Sequence, residues 1–511
     1  MSLNKSLLAL SCSLCWFASL FAERELPNIV LILTDDVGLG DIGMHHREYK
    51  GTEPLAPTPV LDQLAQEGLW LTDAHSPNAL CSPTRYAVMS GNYTYRSSSP
   101  WGVWGSFRES PLLKGRATLG SLLQTKGYTT AFLGKWHLGG DFYVTGTEMI
   151  YRGDDTSESL LPIDATRWVD RGPQNYGFDY DFTLPCGVQG PFYTVYENGD
   201  WYPLADDSEL IHYDATTAKD PIFISDKGPG IGDSEWDTVA INQILAEKAV
   251  DFIEANKGAK PFFMYYCTPA VHLPHTPPES LDGEAIAGTS PSKHLDMNRV
   301  MDWEVGQIIN ALKATGAYEN TLIIFTSDNG GLWDPVAGKA GHFSNGGYRG
   351  SKNLCYEGGH RVPLIAVWPD VIEAGRRSDA LVNGTDLFAT FAELTGATFA
   401  SNEAMDSYSF LDLLKGNSDF KGRETVLLQS GTATEAIYRE GNWKLIIDTD
   451  YGYPKWDPIA LFNLEDNRAE LESGNLINDP NSQETLAAMF ARFKAIRFNE
   501  ARSVPLPEHL R

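Results

Sequence analysis

Residues 28–36 read NIVLILTDD and residues 321–331 read TLIIFTSDNGG, and the likeness of these two stretches decides the fold. Each is an unbroken apolar run of strand length that closes on a hydroxyl residue and is followed by acids, an amide or glycine. A strand that shows no alternation of apolar and polar residues is buried on both faces, as in the parallel sheets of α/β proteins. Outward from these stretches the pattern repeats. Thr58 and Pro59 open a helix (TPVLDQLAQEG) as cap and first turn. Residues 118–126 read as a helix and 129–134 as a strand. A long amphipathic helix over 238–256 leads through Pro261 into the strand FFMYYC, and a second helix over 294–315 precedes 321–327. A strand at 362–368 and a helix at 386–395 complete the alternation, which predicts an α/β domain with a central, mostly parallel sheet between helices.

The alternation fades after about residue 410. Short strands at 426–430, 435–439, 443–447 and 459–464, followed by a helix at 482–497, predict a smaller C-terminal domain with a short antiparallel sheet and a covering helix. The expected organisation is a leader over 1–22, the large domain over 23–410 and a C-terminal subdomain over 411–511. Residues 140–236 are rich in Gly, Pro, Asp and Tyr with weak periodicity, and read as long loops over one end of the sheet.

Composition bounds the function. The 511 residues carry 67 Asp and Glu against 40 Lys and Arg, a formal charge of -27. No basic stretch offsets that field, which excludes nucleic acid as a partner and requires any anionic substrate to find a local positive pocket. Lys5, an apolar run from Leu7 to Ala22 and then Glu23 and Arg24 have the layout of a secretory signal peptide cleaved after Ala22, implying a secreted or periplasmic protein with no membrane span after cleavage. Cys81, Cys186, Cys267 and Cys355 then remain, far apart and without CxxC spacing, which excludes a disulfide scaffold.

In open α/β sheets, ligand sites lie beyond the carboxyl ends of the strands, so Asp35, Asp36, Asp328 and Asn329 are expected to converge there. Carboxylates plus an amide oxygen suit one hard cation, Ca²⁺ before Mg²⁺, over zinc. Residues 78–93 (NALCSPTRYAVMSGNY) place Cys81 at a helix N-terminus, where backbone N–H groups attract anions, with Arg85 adding a full charge. A plain thiol is a poor partner for a hard cation.

The run CSPTR resembles the CxPxR signature of the formylglycine-dependent (type I) sulfatases of the alkaline-phosphatase-like superfamily; Thr84 and Asn92 depart from the usual residues around it. In that family the Cys is oxidised by a maturation enzyme to 3-oxoalanine, whose hydrated aldehyde replaces sulfur with hydroxyl oxygens that bind calcium. Three further blocks, in order, are similar to the family's: GKWHLG with Lys135 and His137, YYCTPAVHLPH with His272, and RGSKNLCYEGGHRVP with Lys352. The resemblance implies that Asp35, Asp36, Asp328, Asn329 and modified Cys81 hold one Ca²⁺. It implies that the gem-diol attacks sulfur, that Arg85 stabilises the ionised diol, and that Lys135 and Lys352 bind sulfate. His272 protonates the leaving alcohol, and His137 takes the proton that lets the hemiacetal collapse. His275 is a further expected substrate contact.

The expected activity is hydrolysis of a sulfate monoester, on a sulfated carbohydrate or an aryl sulfate. Trp101, Trp104 and Arg108 are candidates for sugar contacts. Two rivals stand beside it: a phosphoester or phosphonate monoester hydrolase of the same superfamily, and a non-catalytic calcium-dependent polyanion-binding protein with an unmodified Cys81.

Overall fold

The computed structural model describes residues 26–100, 102–153, 162–258, 260–417, 419–431, 434–449 and 456–498. The expected leader over 1–22 and Trp101 lie outside them. The strand Asn28–Thr34 lies inside a ten-stranded sheet, flanked in parallel by Thr321–Ser327 on one side and Phe262–Cys267 on the other. Beyond Phe262–Cys267 come Thr129–Lys135 and Tyr180–Leu184, both parallel, then two short antiparallel strands. Beyond Thr321–Ser327 come Leu364–Val367 and Leu69–Leu71, each antiparallel to its inner neighbour, and Arg376–Ser378.

Burial on both faces explains the unbroken apolar run. Ile29, Leu31 and Leu33 enter one core layer, while Val30 and Ile32 enter the other. Each such side chain contributes about 1.5–3 kcal/mol by leaving water. The helices divide the same way. Cys81–Ser90, Leu119–Gln124 and Asp386–Thr395 supply Val88, Leu122 and Phe388 to the first layer. Pro59–Glu67, Thr238–Ala255 and Lys293–Ala314 supply Leu61, Ile241 and Val300 to the second. No helix among the described residues is long and apolar enough to cross a membrane.

Two readings of the sequence need correction. The strand expected at 362–368 is Leu364–Val367 and runs antiparallel to Thr321–Ser327. The stretch 140–236 is not all loop, because Tyr180–Leu184 (YDFTL) joins the central sheet. Its polar residues hid it. Asp181 and Thr183 are fully buried and bond to each other, Thr183 Oγ1 donating to Asp181 Oδ1 at 2.8 Å, so the strand lacks the continuous apolar run of its neighbours.

The C-terminal sheet consists of Thr425–Gln429, Glu435–Glu440, Trp443–Asp448 and Asp457–Asn463, all antiparallel. The helix Gln483–Arg497 packs Met489 and Phe493 against Tyr438, Leu445 and Leu461 on one face. The other face carries Val426, Ile437 and Phe462 towards the large domain's Leu381.

Candidate active site

Pairing of Thr34 with Ser327 sets the two central strands level, so Asp35–Asp36 and Asp328–Asn329 leave the sheet side by side. Backbone bonds lock the corner: Asp328 N donates to Thr34 O at 3.1 Å, and Asp36 N donates to Asp328 Oδ1 at 3.2 Å. Asp36 has a left-handed backbone (φ 67), a conformation uncommon outside glycine and typical of places where a side chain must be aimed.

Cys81 is the first residue of the helix Cys81–Ser90 and is 3% exposed. One turn on, Arg85 lies inside the protein. Its Nε and Nη2 donate to Asp328 Oδ2 at 3.1 and 2.7 Å, and Nη1 donates to Lys135 O at 2.8 Å. Arg85 therefore ties the helix that begins at Cys81 to two strand ends. Lys135, the last residue of its strand, donates from Nζ to Asp35 Oδ2 at 2.5 Å and lies 3.7 Å from Cys81 Sγ. Lys352 Nζ donates to Asp36 Oδ2 at 2.8 Å, and His272 Nε2 is 3.8 Å from the same oxygen. The His272 ring is oriented by Nδ1, 2.8 Å from Leu273 O.

His137 is buried with a left-handed backbone (φ 55) and an Nδ1 without a partner. Its carbonyl accepts from Ser82 Oγ at 2.8 Å, which fixes it against the start of the helix. His275 is not brought into this cluster: Nε2 lies 2.9 Å from Val271 O, and its ring meets His294 edge to face at 5.2 Å. Trp104 also turns away from solvent, 4% exposed and packed on Tyr86.

Burial pushes the Asp35 carboxyl up, but Lys135, His272 and Arg85 outweigh it and hold the group ionised far below the usual range. Asp328 goes the other way: burial and the Asp35 charge push it to about 7 despite Arg85 and Lys135. Burial raises the Cys81 thiol in spite of Lys135 and Lys352. Burial, with Lys135 and Arg85 nearby, holds His137 neutral well below the ordinary imidazole value.

A hard cation fits this donor set on two observations. Asp35 Oδ1 and Asn329 Oδ1 are buried oxygens without any hydrogen-bond partner, and a buried orphan oxygen is costly unless something binds it. Asp35, Cys81 and Asp328 also bring their ligand atoms within 4.8 Å of one another, as do Asp35, Asp36 and His272. Asn329 Nδ2 donates to Asp36 Oδ1 at 2.9 Å, so its oxygen points the other way.

Comparison with known proteins agrees with this geometry. The family model described as Sulfatase matches residues 27–397. The chain belongs to the sulfatase family. A second model, for the C-terminal region of N-sulphoglucosamine sulphohydrolase, matches residues 347–499 of this sulfatase. The N-acetylgalactosamine-6-O-sulfatase of Bacteroides thetaiotaomicron is 30% identical over 498 residues, covering 91% of this chain and 90% of that protein. Rat steryl-sulfatase is 29% identical over 460 residues, covering 84% and 78%. Among solved structures, a sulfatase from work on glycosaminoglycan metabolism by B. thetaiotaomicron superposes with a TM-score of 0.76 at 26% identity, covering 93% of this chain and all of that one. The large mixed sheet and small C-terminal sheet are the sulfatase fold, and these relatives make the chain a sulfuric ester hydrolase.

Two features of the site escaped the sequence. Ser82 acts as a clasp, accepting from Trp104 N at 3.0 Å while donating to His137 O. The turn at Gly187 (φ 95) crosses the Lys135 stem so closely that a Cβ there would meet Lys135 Cδ at 2.9 Å. Nothing in a single sequence pairs a loop glycine with a lysine that far away; only the glycine itself was a signal.

Proposed function

We propose that this sulfatase is a secreted enzyme that hydrolyses sulfate monoesters on a sulfated carbohydrate, using one Ca²⁺ and a formylglycine formed at Cys81. The carrying observation is the pair of orphaned buried oxygens, Asp35 Oδ1 and Asn329 Oδ1, beside a buried Cys81 that two lysines flank. Asp35, Asp36, Asp328 and Asn329 would hold the ion; when bound it polarises a sulfate oxygen, and a hydrated aldehyde at position 81 supplies the hydroxyl nucleophile. The names of the bacterial relative and of the solved glycosaminoglycan-pathway sulfatase support a sulfated sugar.

This chain's own residues then divide the work. Lys135 and Lys352 neutralise the non-bridging sulfate oxygens, in a buried setting where a charge acts strongly. Arg85 keeps Asp328 facing the cation position. His272, oriented through Nδ1, presents Nε2 beside the Lys352–Asp36 pair and delivers a proton to the departing alcohol oxygen. His137, held neutral, keeps a free Nδ1 to accept a proton.

The test is sulfate release from desalted sulfated oligosaccharides, run in parallel on the matching phosphate esters, with protein from a host that installs formylglycine. Turnover of a sulfate ester that Cys81→Ala lacks is the expected result. Faster phosphate release overturns the sulfatase assignment for this site.

A further inference from the structure

A second metal-ready cluster forms at Asp41, five residues past the Asp35–Asp36 turn. Asp41 Oδ1, His294 Nε2, His342 Nε2 and Ser344 Oγ converge from three separate segments. Asp41 is 2% exposed, His294 0%, His342 3% and Ser344 6%. The Asp41 oxygen lies 2.7 Å from His342 Nε2 and 3.4 Å from His294 Nε2; Ser344 Oγ lies 3.3 Å from His294 Nε2 and 3.5 Å from His342 Nε2. A tetrahedral zinc site with arms of about 2.0–2.1 Å has edges of about 3.3–3.4 Å. Two of the four separations match those edges, the Ser344–His342 separation is slightly longer, and the Asp41–His342 separation is shorter.

Hydrogen bonding alone accounts poorly for this arrangement. Asp41 Oδ1 also accepts from Asn298 Nδ2 at 3.1 Å, so three donors crowd one oxygen, while both imidazoles aim the same nitrogen at one point. The fully buried Asn298 keeps its own Oδ1 without a partner, and turning that amide over would direct an oxygen into the cluster. Among the described residues no Lys or Arg reaches Asp41, in contrast to the Asp73–His75–Glu357 group, which Arg361, Arg439 and Lys444 fill. The other Asp41 oxygen, Oδ2, accepts from Gly38 N at 2.8 Å, an outer bond of the kind that aims a ligating carboxylate.

We propose that Asp41, His294, His342 and Ser344 form a structural site for a first-row transition cation, zinc foremost. Two imidazoles, a carboxylate and a hydroxyl select such an ion over calcium. Four donors in a closed, buried pocket make it a staple rather than a catalytic centre. It joins the loop that carries Asp35 and Asp36, the start of the helix Lys293–Ala314, and the segment that leads to Lys352. Gly38 and Gly40 permit that join, because a Cβ at either would strike the carbonyl of Ser344 or Phe343 at 2.0 or 1.9 Å.

The proposal is independent of chemistry at Cys81, and the test removes that thiol. Cys81→Ser protein is stripped with a chelator, held in excess calcium and titrated with Co²⁺. About one cobalt per chain, with the intense visible bands of tetrahedral coordination and displacement by zinc, is expected. His342→Ala abolishes the bands, and Ser344→Ala weakens binding about tenfold. His294→Gln serves as a second ligand variant if His342→Ala does not fold. Folded Cys81→Ser protein that takes up neither cobalt nor zinc overturns the site, as does undiminished binding by both His variants.

Discussion

Two buried polar clusters in this sulfatase use the same kinds of residue to opposite ends. At the strand ends, Asp35, Asp36 and Asp328 share Arg85, Lys135 and Lys352, yet Asp35 Oδ1 and Asn329 Oδ1 are left without partners. At the seam with the C-terminal sheet, Glu357 meets Lys444 at 3.0 Å, His75 at 3.0 Å and Arg361 at 2.8 Å, while Asp73 meets Arg439 at 2.6 Å and Arg361 at 2.8 Å. The seam commits both oxygens of Asp73 and Glu357 to protein donors, and so specifies how two sheets dock. The strand-end cluster leaves two buried oxygens without a donor, a lack that a cation would satisfy. A buried charge cluster is therefore read by its orphans rather than by its charge count.

The largest effect should come from unbalancing the seam. Arg439→Met or Lys444→Met removes one cation from a buried, charge-balanced group and should cost about 3 kcal/mol in denaturant unfolding, with turnover per folded molecule little changed. Lys444, His75 and Arg361 outweigh burial and hold Glu357 well below the usual carboxylate range. Its contribution is thus present above pH about 4.3 and lost as pH falls towards the lower folded value, so the gap between wild type and variant should close in acid. Unchanged stability in both variants would show that these charges do not hold the seam.

Lys135→Ala and Lys352→Ala probe the other cluster. Each should lower kcat/KM about 10²–10³-fold, or about 2.7–4 kcal/mol of transition-state stabilisation, while calcium-loaded protein stays folded. Loss of stability without loss of rate would place these lysines with the seam.

A smaller effect sharpens the contrast. With Asp328 pushed to about 7, the calcium-free protein carries a proton there below neutrality. Binding of the proposed calcium would expel it, so affinity should weaken as pH falls below 7, by at most about tenfold (about 1.4 kcal/mol) per pH unit. Calorimetry in two buffers of different ionisation enthalpy reads the released proton; a pH-independent affinity would contradict the assignment of Asp328.

The sequence revealed the fold where burial made it repetitive. NIVLILT, FFMYYC and TLIIFTS lie between two core layers, and their strand length and β-branched or aromatic content separate such runs from a buried helix. Tyr180–Leu184 escaped because Asp181 and Thr183 satisfy each other inside the protein, which interrupts the pattern without interrupting the strand. The strand-end acids and the motif blocks around Cys81, Lys135, His272 and Lys352 were legible because each follows or adjoins a readable element. His275 follows His272 by three residues, and only the structure shows that its Nε2 lies 2.9 Å from Val271 O and its ring meets His294. The Asp41–His294–His342 cluster was illegible because its members lie far apart in sequence, on a turn, a helix and a loop.

On the proposed reading, the orphaned oxygens at the strand ends await a cation and an oxidised Cys81. Intact-mass analysis of the Cys81 peptide, set against calcium-dependent sulfate release across preparations matured to different degrees, tests it most directly. Activity should rise in proportion to the aldehyde fraction and vanish with it or with calcium. Full activity from protein whose Cys81 is still a thiol would contradict the account.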